Sequence, residues 1–525
     1  MMPGRSPLSP FSRGDVPAMT ASEASAFDTR AIDVLGVPQP VLMENAGRSA
    51  ALVIHHVFRP GRVVGVVGSG NNGGDALVVL RSLSAWGIES VALLVADRPA
   101  GDPLLHGWPL RVVADRDLSE TDLSSLLDGA DVIVDGILGT GARGEPRPRQ
   151  AAVINRMNGS STPVVALDVP TGADATTGAL LGPTVQAALT ISFGAPKTGI
   201  CFHPARARAG RHVAVEIGFP PIAEVEAQAT ARLVTPEFAR GHLPIRDTAA
   251  HKNRVGRLLI VGGGVGMAGA AILAARAAFQ AGAGLVQVLA PNSNRDAVQA
   301  GIPEAIFISA DDGPGLSSAA HDADAIVVGP GLGTSDESGS LLASIVGIGT
   351  QPILLDADAL NLIAGGSVSL RDIGASRPTL ITPHPGEMAR LTRDRDGAGY
   401  PIERARSLAS ECSVHVLLKG APSVVAPPSG PVMIDTQSSS DLAVAGMGDA
   451  LAGVCGALMA QGLWPDLAGA LGLYLSGRAA RLAARGAGLM PSDVSNLLPV
   501  ALTETRPSES DLPFPFVLFD AEPAR

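Results

Sequence analysis

Short, nearly unbroken apolar runs mark this chain at intervals, with longer Ala- and Leu-rich stretches between them. In the first half these runs are RVVGVVG (62–68), SVALLVAD (90–97), DVIVDGI (131–137), PVVALDV (163–169), LTISFGAP (189–196) and HVAVEIG (212–218). They are continuous in Val, Ile, Leu and Ala rather than alternating, the pattern of strands buried on both faces. Most are separated by enough chain for a crossover helix, so the pattern predicts a parallel sheet between helical layers. After an Ala-rich stretch (222–231) the style repeats, in RLLIVGGG (257–264), LVQVLAP (285–291), AIVVGPG (325–331), PILLDAD (352–358), TLITPHPG (379–386) and HVLLKG (415–420). SVVAPP and VMIDT, between 423 and 436, read as a hairpin added to that second sheet. The prediction is α/β: two three-layer αβα domains over 19–231 and 232–505, with a flexible Pro- and Ser-rich tail over 1–18 and a loose tail over 506–525.

Length and composition agree with two cores. The chain has 525 residues, more than one ordinary core organises, with 46% hydrophobic and 17% charged residues. A formal net charge of −11 argues against nucleic acid as a partner, because phosphate backbones need a basic face. Cys201, Cys412 and Cys455 lie far apart, without zinc-ligand or disulfide spacing. The opening residues lack the apolar segment of a signal peptide, and the longest apolar run (450–464) is too short and Gly-rich to span a bilayer. A soluble cytoplasmic protein with no membrane partner is expected.

In the first domain, Gly68-Ser-Gly70-Asn-Asn-Gly73 satisfies GxGxxG between a strand and a helix, and Asp97 ends the next strand, as in a dinucleotide fingerprint. A glycine turn needed only for close packing gives the same letters. Asp135 and Asp168 also end buried strands, and GTGARGE (139–145) and PTG (170–172) follow as Gly-rich loops. Ligands of parallel sheets bind at the carboxyl ends of strands, so Asp75, Asp135 and Asp168 are expected to face one crevice. A lone strand-end Asp is commonly a cap or turn former; several together ask for more. Asn72, Asp135 and Thr171 offer only oxygen, which suits a hard cation.

In the second domain, AGMGDALAG (445–453) opens a helix of small apolar residues. Its glycines expose backbone N–H groups at a helix N-terminus, an anion site. Asp449 is either an N-cap or a general base for a hydroxyl attacking a phosphoryl group, and the Gly-x-Gly before it favours the base. Lys419, with Gly420, Ala421, Pro422 and Ser423 after a strand, is either a solvated lysine or a phosphate-meeting point charge. His384 projects from a loop stiffened by Pro383 and Pro385. GGGVGMAGA (262–270) and GPGLG (329–333) add backbone surface for a large ligand.

Taken in order, GNNGGD (70–75), ALDVPTG (166–172), FGAPKTG (193–199), HKNRVGRLLIVGG (251–263), GPGLG, LDADALN (355–361), TPHPGEM (382–388), KGAP and GMGDALAG resemble the bifunctional NAD(P)H-hydrate repair enzymes, over roughly residues 19 to 503. Residues 20–50 are similar to that family's N-terminal helices. The resemblance implies a Rossmann-like epimerase domain, which interconverts the R and S hydrates of NADH and NADPH. It also implies a ribokinase-like dehydratase domain, which converts the S hydrate to NAD(P)H with ADP or ATP, ADP giving AMP and phosphate. By matched position, Asn71, Asn72, Gly73, Gly74 and Asp75 would hold the hydrate, as would Gly139, Thr140, Gly141, Ala142, Arg143, Gly144 and Glu145. Asp168 would be the acid/base, and Asn72, Asp135 and Thr171 would bind K+. In the second domain Ala270, Gly333, His384 and Asp449 would contact the hydrate, with Asp449 as base, and Lys419, Gly420, Ala421, Pro422, Ser423 and Gly448 would contact ADP, carried with Mg2+. A homo-oligomer is also expected.

The family pattern is altered in places: Ala76 replaces a glycine after NNGGD, Thr171 a serine, Asn253 the glycine of HKG, and Val444 a hydroxyl-bearing Thr before the anion hole. Two other readings stand beside this one. GMGD also suits a small-molecule kinase fused to a binding domain, and Val444 suits a nucleotide sensor without turnover.

Overall fold

The computed structural model describes residues 14–99, 101–219, 229–245, 255–393, 399–504 and 512–523. The chain divides into two units, one running to Glu237 and taking in the segment from Pro507, the other Phe238–Arg506. The first unit contains β1 (Val16–Ala18), β2 (Arg62–Val67), β3 (Glu89–Leu94), β4 (Arg111–Ala114), β5 (Val132–Gly136), β6 (Val164–Leu167), β7 (Leu189–Phe193), β8 (Arg211–Val215) and β9 (Ala231–Val234). The second contains β10 (Arg257–Val261), β11 (Leu285–Ala290), β12 (Ile306–Ser309), β13 (Ala325–Val328), β14 (Ile353–Leu355), β15 (Thr379–Ile381), β16 (His415–Leu418), β17 (Val424–Ala426) and β18 (Val432–Asp435). A last strand, β19 (Val517–Ala521), returns to the first unit.

The first unit's main sheet runs β19-β8-β7-β6-β5-β2-β3-β4, parallel throughout except for the antiparallel β19. Alternate residues feed two cores. Val63 and Val67 pack on one face with the helices Gln39–Phe58 and Asn71–Ala85. Val64 and Val66 pack on the other with Glu120–Asp128 and Pro148–Gly159. This is the three-layer architecture expected from the apolar runs. Strand order reverses between β2 and β5, which opens a crevice at their carboxyl ends.

In the second unit the order is β18-β17-β16-β15-β14-β13-β10-β11-β12, parallel from β16 to β12, with β17 and β18 as the antiparallel hairpin. Here the reversal lies between β10 and β13, beside the loops GGGVGMAGA and GPGLG. The helix Met447–Ala460 packs so closely on Ala268–Gln280 that a Cβ on Gly453 would stand 2.0 Å from the Ala274 carbonyl oxygen. Among the described residues no helix is long and apolar enough to cross a membrane.

Both tails differ from expectation. Val16–Ala18 is not loose: it pairs antiparallel with β9, Val16 opposite Leu233. Within the C-terminal segment, residues 512–523 are ordered as well. Val517, Leu518 and Phe519 are buried in β19, and Arg211 grips the Asp520 carboxylate through Nε (2.8 Å) and Nη2 (2.5 Å). In the sequence, the charged, Pro-containing ETRPSESD just before it obscures the strand's apolar pattern. A chain ending at residue 511 is expected to lose this edge. Each buried side chain of that size contributes about 1.5–3 kcal/mol, and a domain of this length shifts its midpoint by about 2–4 °C per kcal/mol. Calorimetry should show the first unit melting several degrees earlier; an unmoved transition would contradict a structural role for β19.

Candidate active sites

In the first unit β2 ends at Val67, and the chain turns through Gly68 to Gly70 into the helix Asn71–Ala85. The glycines answer a packing need. A Cβ on Gly73 would lie 2.1 Å from the Gly68 carbonyl oxygen, and one on Gly68 would lie 2.1 Å from that of Ile137. Asn71, Asn72 and Asp75 then face a cavity of about 560 Å³. Its other walls are Gly139 to Ala142 after β5, Asp168 after β6, Lys197 after β7, and Phe27, Asp28 and Met43 from the N-terminal helices.

Asp168 is held in an unusual way. Its φ is +66°, a left-handed conformation that costs energy in any residue but glycine and persists only where neighbours impose it. Its N–H donates to the Ile191 carbonyl (2.7 Å), and the Ser192 hydroxyl donates to its own carbonyl (2.9 Å). The Thr140 N–H and hydroxyl donate to Oδ2 at 2.8 and 2.5 Å, and Lys197 Nζ lies 2.8 Å from Oδ1. Lys197, only 3% exposed, also donates to the carbonyls of Phe193 (2.9 Å) and Ala195 (3.1 Å). Burial alone would raise the Asp168 pKa. The Lys197 charge and the Lys197 and Thr140 hydrogen bonds outweigh it and hold the carboxyl below its ordinary value.

Asp75 is the opposite case. Burial, then repulsion by Asp168 and Asp28, hold its pKa well above the usual carboxylate range, with only partial opposition from Lys197. No hydrogen bond among the described residues stabilises its ionised form. Burial also raises Asp28, with Lys197 opposing and Asp168 adding to the rise. One cavity therefore holds one carboxyl group kept below its ordinary pKa and another pushed well above it.

In the cavity wall, Asn72 Nδ2 donates to the Leu138 carbonyl (2.9 Å), while the buried Asn72 Oδ1 has no hydrogen-bond partner. Asp135 is fully buried. Its Oδ1 accepts the Thr171 hydroxyl (2.7 Å) and the Ile137 N–H (3.2 Å), and its Oδ2 accepts the Thr171 N–H (2.9 Å). Burial pushes its pKa up to about 6 against those bonds. An orphaned amide oxygen beside a desolvated carboxylate and a hydroxyl is an oxygen-only set that fits a hard monovalent cation.

Not every expected residue reaches the cavity. Gly73 and Gly74 serve helix packing, a Cβ on Gly74 meeting Met43 Cε at 2.8 Å. Arg143, Gly144 and Glu145 are exposed outside the cavity walls. Asp97, the ribose-binding acid of the fingerprint reading, is an exposed partner of Arg116 at 2.6 Å, away from the cavity. Ala76 is buried where a Cβ on Gly136 would come within 2.5 Å of its methyl group, so glycine at 136 makes room for alanine at 76. Lys197 and Asp28 carried no local signal as site residues beyond Lys197's place in FGAPKTG.

In the second unit Gly446, at φ +83°, stands at the N-cap of the helix Met447–Ala460, with no side-chain cap. Asp449 lies in the first turn and is not the cap, which removes the simpler reading. Burial, then repulsion from Asp356, push its pKa up to about 6, Asp358 adding and Lys419 opposing. Lys419 Nζ lies 2.8 Å from Oδ1 of the buried Asp356, and this partner raises the lysine's pKa against the effect of burial. A Cβ on Gly448 would stand 3.4 Å from Lys419 Nζ and 3.8 Å from Asp356 Oδ2, so helix start, lysine and acid converge. Lys419 is thus an ion-paired lysine rather than a free point charge, and Asp356, within LDADALN, is a site residue to which the motifs gave no role.

The loop after Lys419 closes on itself, Gly420 N–H donating to Ser423 Oγ and the Ser423 hydroxyl to the Gly420 carbonyl, both at 3.1 Å. Gly333 N–H donates to Asp358 Oδ2 (2.8 Å), and a Cβ on Gly331 would meet that of Ala270 at 2.9 Å, which brings the two glycine loops together. His384 caps the helix Pro385–Thr392: its Nδ1 accepts the Gly386 N–H (3.0 Å), and its own N–H donates to Glu387 (2.8 Å). Its half-exposed Nε2 stays 3.4 Å from Glu387 Oε1. Val444 is exposed just before the Gly446 cap, its carbonyl accepting the Met447 N–H at 3.2 Å. Asn253 lies outside the described residues. Among the described residues no cluster of three or more His, Cys, Asp or Glu side chains could hold a metal alone.

Two family models match the chain: YjeF-related protein N-terminus over residues 39–199 and NAD(P)H-hydrate dehydratase over 258–499. The bifunctional NAD(P)H-hydrate repair enzyme of Moorella thermoacetica is 37% identical over 514 residues, 92% of this chain and 96% of the relative. That of Escherichia coli is 34% identical over 492 residues, 91% and 92% of the two chains. Among solved structures, the ADP/ATP-dependent NAD(P)H-hydrate dehydratase of Bacillus subtilis, co-crystallised with ATP and Mg2+, is 27% identical with a TM-score of 0.44, covering 51% of this chain and 96% of its own.

Proposed function

Since the chain belongs to the bifunctional NAD(P)H-hydrate repair enzymes, we propose that its two sites divide the repair between them. The protein restores hydrated NADH and NADPH. In this reading the boundary falls between residues 231 and 232. The first unit interconverts the R and S hydrates in the cavity walled by Asn71, Asn72, Asp75, Gly139 to Ala142 and Asp168. Asp168 is its base, and the paired geometry of Asp168 with Lys197 and Thr140 is the observation that carries the assignment. Asn72, Asp135 and Thr171 would hold K+, which would supply positive charge beside the buried Asp135 carboxylate.

The second unit dehydrates the S hydrate. Hydroxide is a poor leaving group, and phosphorylation makes it a good one. Asp449 takes the proton of the hydrate's hydroxyl as its oxygen attacks the β-phosphorus of ADP and AMP leaves. The ring nitrogen's lone pair then expels phosphate to leave a C=N bond, and loss of a proton from the neighbouring ring carbon to the departing phosphate returns those electrons to nitrogen as the ring C=C bond re-forms. The open N–H groups behind Gly446 receive phosphate oxygens, and the pair Lys419–Asp356 keeps a cation beside them. Mg2+, carried with the nucleotide, would shield its phosphate charge. Ala270, Gly333 and His384 hold the hydrate, and Gly420 to Ser423 with Gly448 hold ADP.

The test is incubation of each purified epimer with the full chain. S hydrate with ADP should yield NADH, AMP and phosphate, and R hydrate should follow only as fast as it becomes S. A stable phosphorylated product would make the second unit a kinase instead.

A further inference from the structure

We propose that Asp75 is a catalytic acid of the first unit, sharing with Asp168 the movement of protons at the hydroxyl-bearing ring carbon. The inference rests on the epimerase reading of this cavity and deepens it. Both carboxyl groups face the cavity, yet their surroundings differ in kind. Asp168 is bonded through both oxygens, to Lys197 and twice to Thr140. Asp75 is 9% exposed, and no donor among the described residues supports its charge. Two buried carboxyl groups that repel each other do not both ionise, and the one with the lysine takes the charge. Environments that separate a carboxyl pair in this way assign acid and base.

The other candidate donors are spent or displaced. The Lys197 ammonium has three protons and three acceptors, the Asp168 carboxylate and the carbonyls of Phe193 and Ala195. The Thr140 hydroxyl already donates to Asp168. Asp28 stands more open on the N-terminal helix. Asp75 is left as the buried group with a transferable proton.

The chemistry balances. Asp75 gives its proton to the ring hydroxyl as the C–O bond breaks. The ring nitrogen's lone pair forms the C=N bond, and water departs from a cationic ring that the Asp168 carboxylate and the new Asp75 carboxylate stabilise. Water then adds to the opposite face, the C=N electrons return to nitrogen, and Asp168 accepts the proton released. That proton passes back to Asp75 through water in the cavity, so no oxidant, reductant or net proton is required.

The experiment uses the full chain without nucleotide and the purified R hydrate of NADPH in 18O-labelled water, with epimers separated by chromatography. The wild type should interconvert the epimers and place 18O in the hydroxyl. Asp75→Asn should lower kcat at least about 100-fold, the scale of general acid catalysis, with KM and the thermal midpoint nearly unchanged. Asp75→Glu should recover part of the rate. Interconversion by Asp75→Asn within a few-fold of wild type, a loss confined to KM, or wild-type turnover without 18O would each overturn the proposal. A wild type that does not interconvert the epimers would instead overturn the reading of the cavity on which it rests.

Discussion

Asp449→Asn is expected to reduce ADP-dependent recovery of NADH from the S hydrate by about 10³-fold, within the range attributed to a positioned general base, while R and S hydrates still interconvert. The asparagine keeps the shape and can still accept a hydrogen bond, but it cannot take the hydroxyl's proton. Because Gly446 holds the N-cap position, the helix should lose no capping contribution, and the thermal midpoint should barely move. The same residue sets a pH profile. With burial and Asp356 pushing the Asp449 carboxyl up to about 6, the base is ionised above that pH and protonated below it. Dehydratase kcat/KM should therefore fall as pH drops through about 6 and level off above it. Recovery unchanged in Asp449→Asn would reject the base assignment and favour a sensor without turnover.

Lys197→Met should be the most damaging single change in the first unit. It leaves the Asp168 carboxylate buried with its chief partner gone, and breaking a buried pair from one side costs about 3–5 kcal/mol. In the wild type the depressed Asp168 pKa stabilises the fold above the unfolded carboxylate's value, a contribution lost as pH falls through the lower folded value. In the variant the carboxyl takes up a proton more readily, so stability falls near neutrality and epimerisation drops about 100-fold or more with its base neutralised. Adding Asp168→Asn removes the stranded charge. The double variant should melt closer to wild type and remain inactive. Calorimetry and the epimer assay on the same preparations separate these effects, and a Lys197→Met chain as stable and active as wild type would remove the pair from the mechanism.

The motifs led to much of both sites for a local reason. GNNGGD, GTGARGE and GMGDALAG combine glycines, which the backbone needs for close approach, with acids and amides at the ends of apolar strands. In the structure Gly68 and Gly73 do pack against neighbouring carbonyls, and Asp75, Asp168 and Asp449 do stand at the carboxyl ends of their sheets or just beyond. The GxGxxG match carried less: its supposed ribose acid, Asp97, is exposed and paired with Arg116. The thin edges were missed because β4 and β12 are short and partly exposed, and β19 follows a polar, Pro-containing stretch.

By itself the sequence determined the layers and the central strands, because burying a strand on both faces demands continuous apolar residues. It also placed the oxygen-bearing loops at the strand ends. Only the tertiary structure decided which charges meet. Lys197 reaches Asp168 because β6 and β7 lie side by side, and Lys419 reaches Asp356 only across the second sheet. Protonation follows from those meetings. The two acids of the first cavity are the same residue type, and burial, repulsion and a single lysine, not the local sequence, hold the Asp168 carboxyl below its ordinary pKa and push the Asp75 carboxyl well above it.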